Sequence, residues 1–367
     1  MERKTDMKLQ VNVPGKEYEI LCERGLLDRA GEHLKGLLSG QLCAVVTDSN
    51  VGPLYADRVV KSLESAGFRT GLITIPAGEK SKNPEMLLNL WNELIEMGIT
   101  RSDTVIALGG GVVGDLAGFA AASILRGVRF VQIPTSLLAQ VDSSVGGKVA
   151  IDLPSGKNLA GAFWQPAAVL IDPDCLDTLS DRVFNDGMGE VIKYGAIRDA
   201  ELFAQLDRDG GRAGVMSHIG DVILRCCDIK RATVVEDELD NGGAHGGRLV
   251  LNYGHTFGHV YEQTYGFETY THGEGVAAGM VTAARIGEKM GITPAGTADR
   301  ICAVLKKYDL PCEIRVTEEE VRHTIGKDKK NRGAKIHFIY LKELGDGEDR
   351  FMLTEELIKN AFHLHGE

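Results

Sequence analysis

Between Leu9 and Ile171 the chain alternates short β-branched runs with stretches of helical spacing, and this alternation constrains the fold more than any single motif. Residues 8–21 alternate apolar and polar positions (Leu9, Val11 and Val13, then Tyr18 and Ile20) around Pro14-Gly15, which reads as a hairpin. Cys43–Thr47 reads as a strand ending in Asp48-Ser49-Asn50, followed by a helix over 54–66. A strand over Thr70–Ile75, a helix over 83–97 and a strand over Thr104–Leu108 continue the series, with further strands at Phe130–Ile133 and Ala168–Ile171. Strand and helix in alternation imply a parallel sheet with crossover helices. Residues 134–158 show little helix or strand pattern, and long irregular segments in compact domains are often functional.

The second half changes character. Stretches 181–209, 217–236, 252–264, 273–291 and 297–308 have helical spacing, and Thr317-x-x-Glu320 and Thr354 read as caps of later helices. The change falls near 175–185, around Asp177-Thr178-Leu179-Ser180. The expected architecture is an α/β N-terminal domain with a Rossmann-like parallel sheet, residues 1–180, followed by a mainly α-helical C-terminal domain, residues 181–367. Hydrophobic content of 43% with 25% charged residues suits a globular chain of 367 residues with a sizeable core.

A formal net charge of −11 argues against a general nucleic-acid binder. It leaves an anionic small molecule open, because screening acts over about 8 Å and a local group of cations outweighs distant acidic surface. Seven cysteines without a C-x-x-C pair read as buried or free thiols in a reducing compartment. No apolar run approaches a membrane span, and the first residues, Met-Glu-Arg-Lys-Thr-Asp, lack a signal-peptide core. A cytoplasmic protein without membrane association is expected.

Leu108-Gly109-Gly110-Gly111-Val112-Val113-Gly114-Asp115 matches G-x-G-x-x-G between a strand and a helix. Glycines let backbone approach a pyrophosphate, and helix N-terminal N–H groups complement its charge. The acidic residue that such a fingerprint wants about 20 positions later is missing; the next strand ends in Pro134-Thr135-Ser136. Asp48, at an earlier strand end, could serve the ribose instead, and a plain tight turn is the competing reading. Downstream, Asp115, Arg126, Asp142, Lys148, Lys157 and Asn158 stand among glycines and hydroxyls, where ammonium and backbone N–H groups can converge on an oxyanion. Singly, each of these lysines reads as ordinary surface.

Residues 252–259 read Asn-Tyr-Gly-His-Thr-Phe-Gly-His, and Thr271-His272-Gly273-Glu274 follows. Neutral imidazole is the commonest ligand of zinc-like ions, and an i, i+4 pair projects from one helical face. Spacing alone selects His255, His259 and His272, with Glu190 a fourth candidate on a helix that places Lys193 on the same side. Spacing does not decide which three bind. Isolated histidines such as His33, His218, His245, His363 and His365 read as structural or exposed.

Taken together the chain closely resembles the 3-dehydroquinate synthases, of the sugar-phosphate cyclase superfamily. The matching segments are Gly-Gly-Gly-Val-Val-Gly-Asp (109–115), Arg-Gly-Val-Arg-Phe-Val-Gln-Ile-Pro-Thr (126–135), Gln-Val-Asp-Ser-Ser-Val-Gly-Gly-Lys (140–148), Gly-Lys-Asn (156–158) and Gly-Ala-Phe-Trp-Gln-Pro (161–166). Gly-Glu-Val-Ile-Lys-Tyr-Gly (189–195), Asn-Tyr-Gly-His-Thr-Phe-Gly-His (252–259), His-Gly-Glu-Gly-Val-Ala-Ala-Gly-Met (272–280) and Asp-Lys-Lys (328–330) follow in order.

The resemblance implies a dehydroquinate synthase-like fold and conversion of 3-deoxy-D-arabino-heptulosonate 7-phosphate to 3-dehydroquinate and phosphate, a lyase step of the shikimate route. It implies bound NAD and a divalent metal, zinc or cobalt, with the metal on Glu190, His255 and His272 rather than His259. NAD contacts would fall on Asp48, Glu79, Lys82, Gly111, Val112, Val113, Gly114, Asp115, Thr135, Ser136, Asp142, Lys148, Lys157, Cys175 and Thr178. Lys230 and Arg248 would meet the substrate carboxylate. Lys148, Asn158, Asn252, His259 and one of Lys329 and Lys330 would meet its phosphate, with Arg126 reaching across a homodimer interface and Lys193 beside the metal.

The implied chemistry is oxidation by NAD, β-elimination of phosphate, re-reduction, ring opening and intramolecular aldol closure. It asks the chain mainly for positioning and charge stabilisation. The turn from Asn241 to Gly247 is longer than is usual in the family, and Ser136 stands where many relatives have Thr. Competing activities are another sugar-phosphate cyclase, whose substrate lacks the carboxylate, and a metal-dependent polyol dehydrogenase.

Overall fold

A computed structural model of the chain describes residues 8–242, 244–266, 269–325 and 335–362, with the side chains of 244–246 outside the description. The chain forms two units. One comprises Met1–Leu179 with Ile223–Arg231, the other Ser180–Val222 with Ala232–Glu367. The nine residues 223–231 lie within a single helix, Ile219–Glu236, so the first unit is not contiguous in sequence.

In the first unit the predicted hairpin forms β1 (Lys8–Val11) and β2 (Tyr18–Cys22), paired antiparallel. Then come β3 (Leu42–Asp48), helix Gly52–Ser65, β4 (Arg69–Ile75), helix Pro84–Glu96, β5 (Thr104–Gly109) and helix Gly111–Ser123. β6 (Arg129–Pro134), the hairpin β7 (Lys148–Leu153) and β8 (Gly156–Phe163), and β9 (Ala168–Ile171) complete it. The seven-stranded sheet runs β1-β2-β9-β6-β5-β3-β4, parallel throughout except at β1–β2. β3 and β5 are buried along their lengths, as strands covered on both faces must be.

Two expectations for this unit need correction. Residues 134–158 are not irregular: Ala139–Ser143 is a π-helical turn, and 148–153 pairs with 156–163. The glycines at 146, 147 and 156 conceal an ordinary alternation in which Val149 and Ile151 face the core. The cysteine reading also holds only in part. Cys22, Cys43, Cys175, Cys226 and Cys227 are buried and lie outside the disulfide, but in the second unit Cys302 and Cys312 form one across a Cα separation of 5.3 Å. An odd total hides a pair when helix Thr297–Lys307 and the turn after it fold back on each other.

The second unit contains helices Asp181–Arg198, Ala200–Asp209, Arg212–Met216, His255–Thr264, His272–Lys289, Thr297–Lys307, Glu318–Ile325 and Thr354–Phe362. A continuous helix over 181–209 is not observed. The chain breaks at Asp199, whose side chain caps the following helix by accepting from Leu202 N at 3.0 Å. Thr317 and Glu320 cap each other's turn as their spacing predicts. An antiparallel pair, β10 (Lys335–Glu343) and β11 (Asp346–Leu353), was not anticipated, because its faces mix charged and apolar residues. Among the described residues no helix is long and apolar enough to cross a membrane.

Asp103 ties the start of β3 to the turn before β5. Its carboxylate accepts from Gln41 N (3.1 Å), Leu42 N (2.9 Å), Thr100 N (2.8 Å) and Thr100 Oγ1 (2.6 Å). Burial acts to raise its pKa, but these hydrogen bonds outweigh burial and hold it below the ordinary aspartate value. A depressed folded pKa contributes stability at neutral pH that is lost as pH falls through it. Asp103→Ala should lower the stability of the first unit by about 2–3 kcal/mol at pH 7. In urea titrations the difference from the unsubstituted protein should narrow as pH drops below about 4.

Candidate active site

Three helices of the second unit bring Glu190, His255 and His272 together. Helix Asp181–Arg198 is capped by Ser180, and Glu190 and Lys193 lie one turn apart on its buried face, 0% and 2% exposed. Lys193 Nζ pairs with Glu190 Oε2. Helix His255–Thr264 opens on His255, and helix His272–Lys289 opens on His272. The latter start is fixed by a capping box between Thr271 and Glu274, and Arg182 holds Glu274 through two hydrogen bonds of 3.0 and 2.9 Å.

Close helix approach makes the cluster possible. A methyl group at Gly279 would stand 2.0 Å from Gly254 O, and one at Gly273 would stand 1.9 Å from Asp186 O. Both positions therefore exclude every larger side chain without a backbone shift. The result is a set of one ligand atom from each of Glu190, His255 and His272, all within 4.8 Å of one another. Glu190 Oε1 is 3.5 Å from His255 Nε2 and 3.3 Å from His272 Nε2.

The electrostatics suit a cation. The Nδ1 of His255 lies 3.2 Å from the carbonyl oxygen of Tyr253, which can only accept, so Nδ1 carries the proton. Burial and the Lys193 ammonium push the His255 pKa down to about 3, leaving a neutral imidazole with its Nε2 lone pair toward Glu190. Burial also acts downward on His272, but hydrogen bonds to Glu190 and Glu262 outweigh it and raise the group well above the ordinary value. A metal ion at Nε2 competes with that proton. One carboxylate and two imidazoles are the donor set expected of a zinc-type centre that keeps a coordination position open.

His259 is not among these ligands. Its ring lies 5.6 Å from that of His255, one turn on, and the residue is exposed. Histidine spacing could not reveal that the third donor comes from another helix. Arg248 is 3% exposed and its Nη1 donates to Glu238 O at 2.9 Å, while Asn252 ends the same Ala244–Asn252 segment. The long turn before Arg248 closes on one carboxylate, because Asp237 accepts from Asn241 N (2.8 Å), Gly242 N (3.0 Å) and Arg248 N (3.4 Å). Lys329 and Lys330 lie outside the described residues.

The residues expected at NAD gather in the first unit, several at the carboxyl ends of its strands. The chain leaves β3 for β4 on one side and returns to β5 on the other, making the topological switch where open α/β sheets bind ligands. Asp48 ends β3, and its carboxylate accepts from Asn50 N and Val51 N. Gly109 ends β5, Gly110 precedes the helix, and Gly111, Val112, Val113, Gly114 and Asp115 form its first turns. Thr135 N donates to Gly109 O at 3.0 Å, and Ser136 Oγ accepts from Ala139 N.

Lys82 is 4% exposed, pairs with Asp115 at 2.5 Å and donates to Asn158 Oδ1. Burial presses its pKa downward, but the Asp115, Glu79 and Asp152 carboxylates outweigh burial and raise it. Lys157 reaches Glu79 at 3.7 Å. Lys230, from the helix segment 223–231, donates to Asp142 O (2.6 Å) and Oδ1 (2.9 Å). Burial pushes the Cys175 thiol up, and its carbonyl accepts from Tyr55 and Thr178 hydroxyls. Tyr55 was not singled out by sequence, having no motif of its own. Lys148 is exposed. Arg126 and Asn158 are exposed and left-handed, at φ 68° and 54°, a conformation uncommon outside glycine.

Chelator-competition titration with zinc separates the two ligand choices. His255→Ala, His272→Ala and Glu190→Ala should each weaken zinc binding by roughly a hundredfold or more. His259→Ala should stay within about threefold of the unsubstituted protein, because its ring lies outside the Glu190, His255 and His272 set.

Comparison with known proteins identifies the family. The family model described as 3-dehydroquinate synthase N-terminal matches residues 72–186, and its C-terminal counterpart matches residues 187–331. A 3-dehydroquinate synthase of Clostridium perfringens (strain SM101 / Type A) is 48% identical over 92% of this chain and 96% of its own length. A solved 2-epi-5-epi-valiolone synthase from Streptomyces hygroscopicus subsp. jinggangensis 5008, with NAD+ and Zn2+ bound, superposes with a TM-score of 0.83 at 25% identity, covering 94% of this chain and 95% of that one. A 2-deoxy-scyllo-inosose synthase complexed with carbaglucose-6-phosphate, NAD+ and Co2+ shares the fold at a TM-score of 0.85 and 23% identity, over 96% of this chain and 99% of that one. The chain belongs to the 3-dehydroquinate synthase family.

Proposed function

We propose that the protein converts 3-deoxy-D-arabino-heptulosonate 7-phosphate to 3-dehydroquinate and phosphate, with NAD and a zinc or cobalt ion. The observation that carries this reading is the Glu190, His255 and His272 cluster, inside a chain 48% identical to a 3-dehydroquinate synthase. Bound there, the metal supplies Lewis-acid polarisation of a substrate hydroxyl, and NAD supplies a reversible hydride acceptor.

The chain's own residues bind, orient and hold charge. Glu190 and the Nε2 atoms of His255 and His272 would hold the metal, with Lys193 compensating the carboxylate. Tyr253 O keeps the His255 proton on Nδ1. The Gly111–Asp115 turn and Asp48 would hold the dinucleotide, supported by Glu79, Lys82, Thr135, Ser136, Asp142, Lys157, Cys175 and Thr178. Lys230 and Arg248, each already anchored by an oxygen of its own unit, would bind the substrate carboxylate. Lys148, Asn158, Asn252, His259 and a lysine of 329–330 would bind phosphate, with Arg126 supplied by the second subunit of a homodimer. Lys148, Asn158, His259 and Arg126 are all exposed, as groups meeting an incoming phosphate need to be.

A single incubation with the heptulosonate phosphate, NAD and zinc tests the proposal. Phosphate release with formation of 3-dehydroquinate and no net NADH is the expected outcome. Accumulating NADH would mark a polyol dehydrogenase, and turnover of a hexose or sedoheptulose phosphate alone would mark another cyclase. Arg248→Ala should raise KM about tenfold to a hundredfold, the loss of one charge-assisted hydrogen-bonding partner; an unaltered KM would contradict the carboxylate role.

A further inference from the structure

Each imidazole of the candidate metal site has its two nitrogens divided between an inner and an outer oxygen. His272 places Nε2 at 3.3 Å from Glu190 Oε1 and Nδ1 at 3.1 Å from Glu262 Oε1. His255 places Nε2 at 3.5 Å from the same Glu190 oxygen and Nδ1 at 3.2 Å from Tyr253 O. Glu262 comes from helix His255–Thr264, seven residues after His255, and is 5% exposed. Gly275 lines its stem; a methyl group at that position would lie 3.5 Å from Glu262 Cγ. Glu262 lies between the 252–259 and 272–280 histidine motifs and belongs to neither.

A carboxylate buried to this degree is costly unless it serves a cation or a strong donor. Its oxygen faces the far side of a ring whose near side faces the ligand set. Hydrogen bonding at one ring nitrogen sets which nitrogen remains for a metal, and it raises the basicity of that nitrogen. We propose that Glu262 is a positioning residue that holds His272 with its proton on Nδ1, so that Nε2 is delivered to the metal, as the Tyr253 carbonyl does for His255.

This rests on the metal assignment of the preceding section, and the unsubstituted protein tests that assignment first. If it takes up no zinc in a chelator-competition titration, the assignment itself fails. Given uptake, Glu262→Leu should bind zinc about 10–100-fold more weakly. Glu262→Gln keeps an acceptor oxygen and should stay within about threefold. The visible spectrum of the cobalt-loaded protein should shift in Glu262→Leu and hold in Glu262→Gln, a signature that a loss of packing alone would not produce. Zinc affinity in Glu262→Leu within about twofold of the unsubstituted protein would overturn the proposal.

A second measurement needs no variant and decides the matter if Glu262→Leu does not fold. In the full chain labelled with 15N-histidine and loaded with 113Cd2+, the metal should couple to Nε2 of His272, with a downfield proton on Nδ1. Coupling to Nδ1 would overturn it.

Discussion

Glu190 is a carboxylate with no exposed surface, and a buried charge survives only where other charges and dipoles are gathered around it. The second unit is built to gather them. Lys193 comes one turn later on the same helix, and two imidazoles come from helices that approach because glycine occupies 273 and 279. Removing either glycine would separate the ligands before it touched their chemistry. The small-residue content of helix His272–Lys289, which looks like a packing feature, is therefore also what makes the ligand set possible.

The first unit solves a related problem with different parts. Its parallel strands end together, and the helix N-termini and turns there expose N–H groups where carboxylates collect. Asp48 is held by Asn50 and Val51 amides, Asp115 by Lys82, and Asp142 by Lys230. Each acidic side chain at this edge has its counter-charge or donor in place, so the electrostatics are set by the fold and do not wait for a ligand. The chain's net charge of −11 has little bearing here, since lysines within hydrogen-bonding distance act far more strongly than remote surface.

What sequence reveals depends on whether the signal is local. The strands β3, β4, β5, β6 and β9 and most helices were legible because each carries its own period and its own punctuation, as Thr317 and Glu320 do. The β7–β8 hairpin was obscured by glycines that serve its turns, and β10–β11 by charges on its open face. The candidate metal cluster shows the same division. His255 and His272 announce themselves by spacing, but Glu190 is 65 residues before His255, where the sequence offers it only as a fourth candidate and resemblance to a family selects it. Glu262 and the Cys302–Cys312 pair depend on how helices fold against their neighbours, and nothing in their flanking residues signals it.

The protonation states bear on what such a site can do. Lys82, Lys193 and Lys230 are ion-paired, and the Nδ1 proton of His255 is committed to a carbonyl while its pKa lies near 3. A general base that works near neutral pH needs a pKa near neutrality, and His255 is far from it. The lysines hold their charge against neighbouring carboxylates, and His255 is held as a neutral imidazole. A reaction that fits this equipment is one in which the substrate carries its own acid–base group, and a departing phosphate is such a group. The burden left to the chain is to hold an anionic sugar acid still, for which cations already anchored by neighbouring oxygens are well suited, because they reorganise little as charge moves.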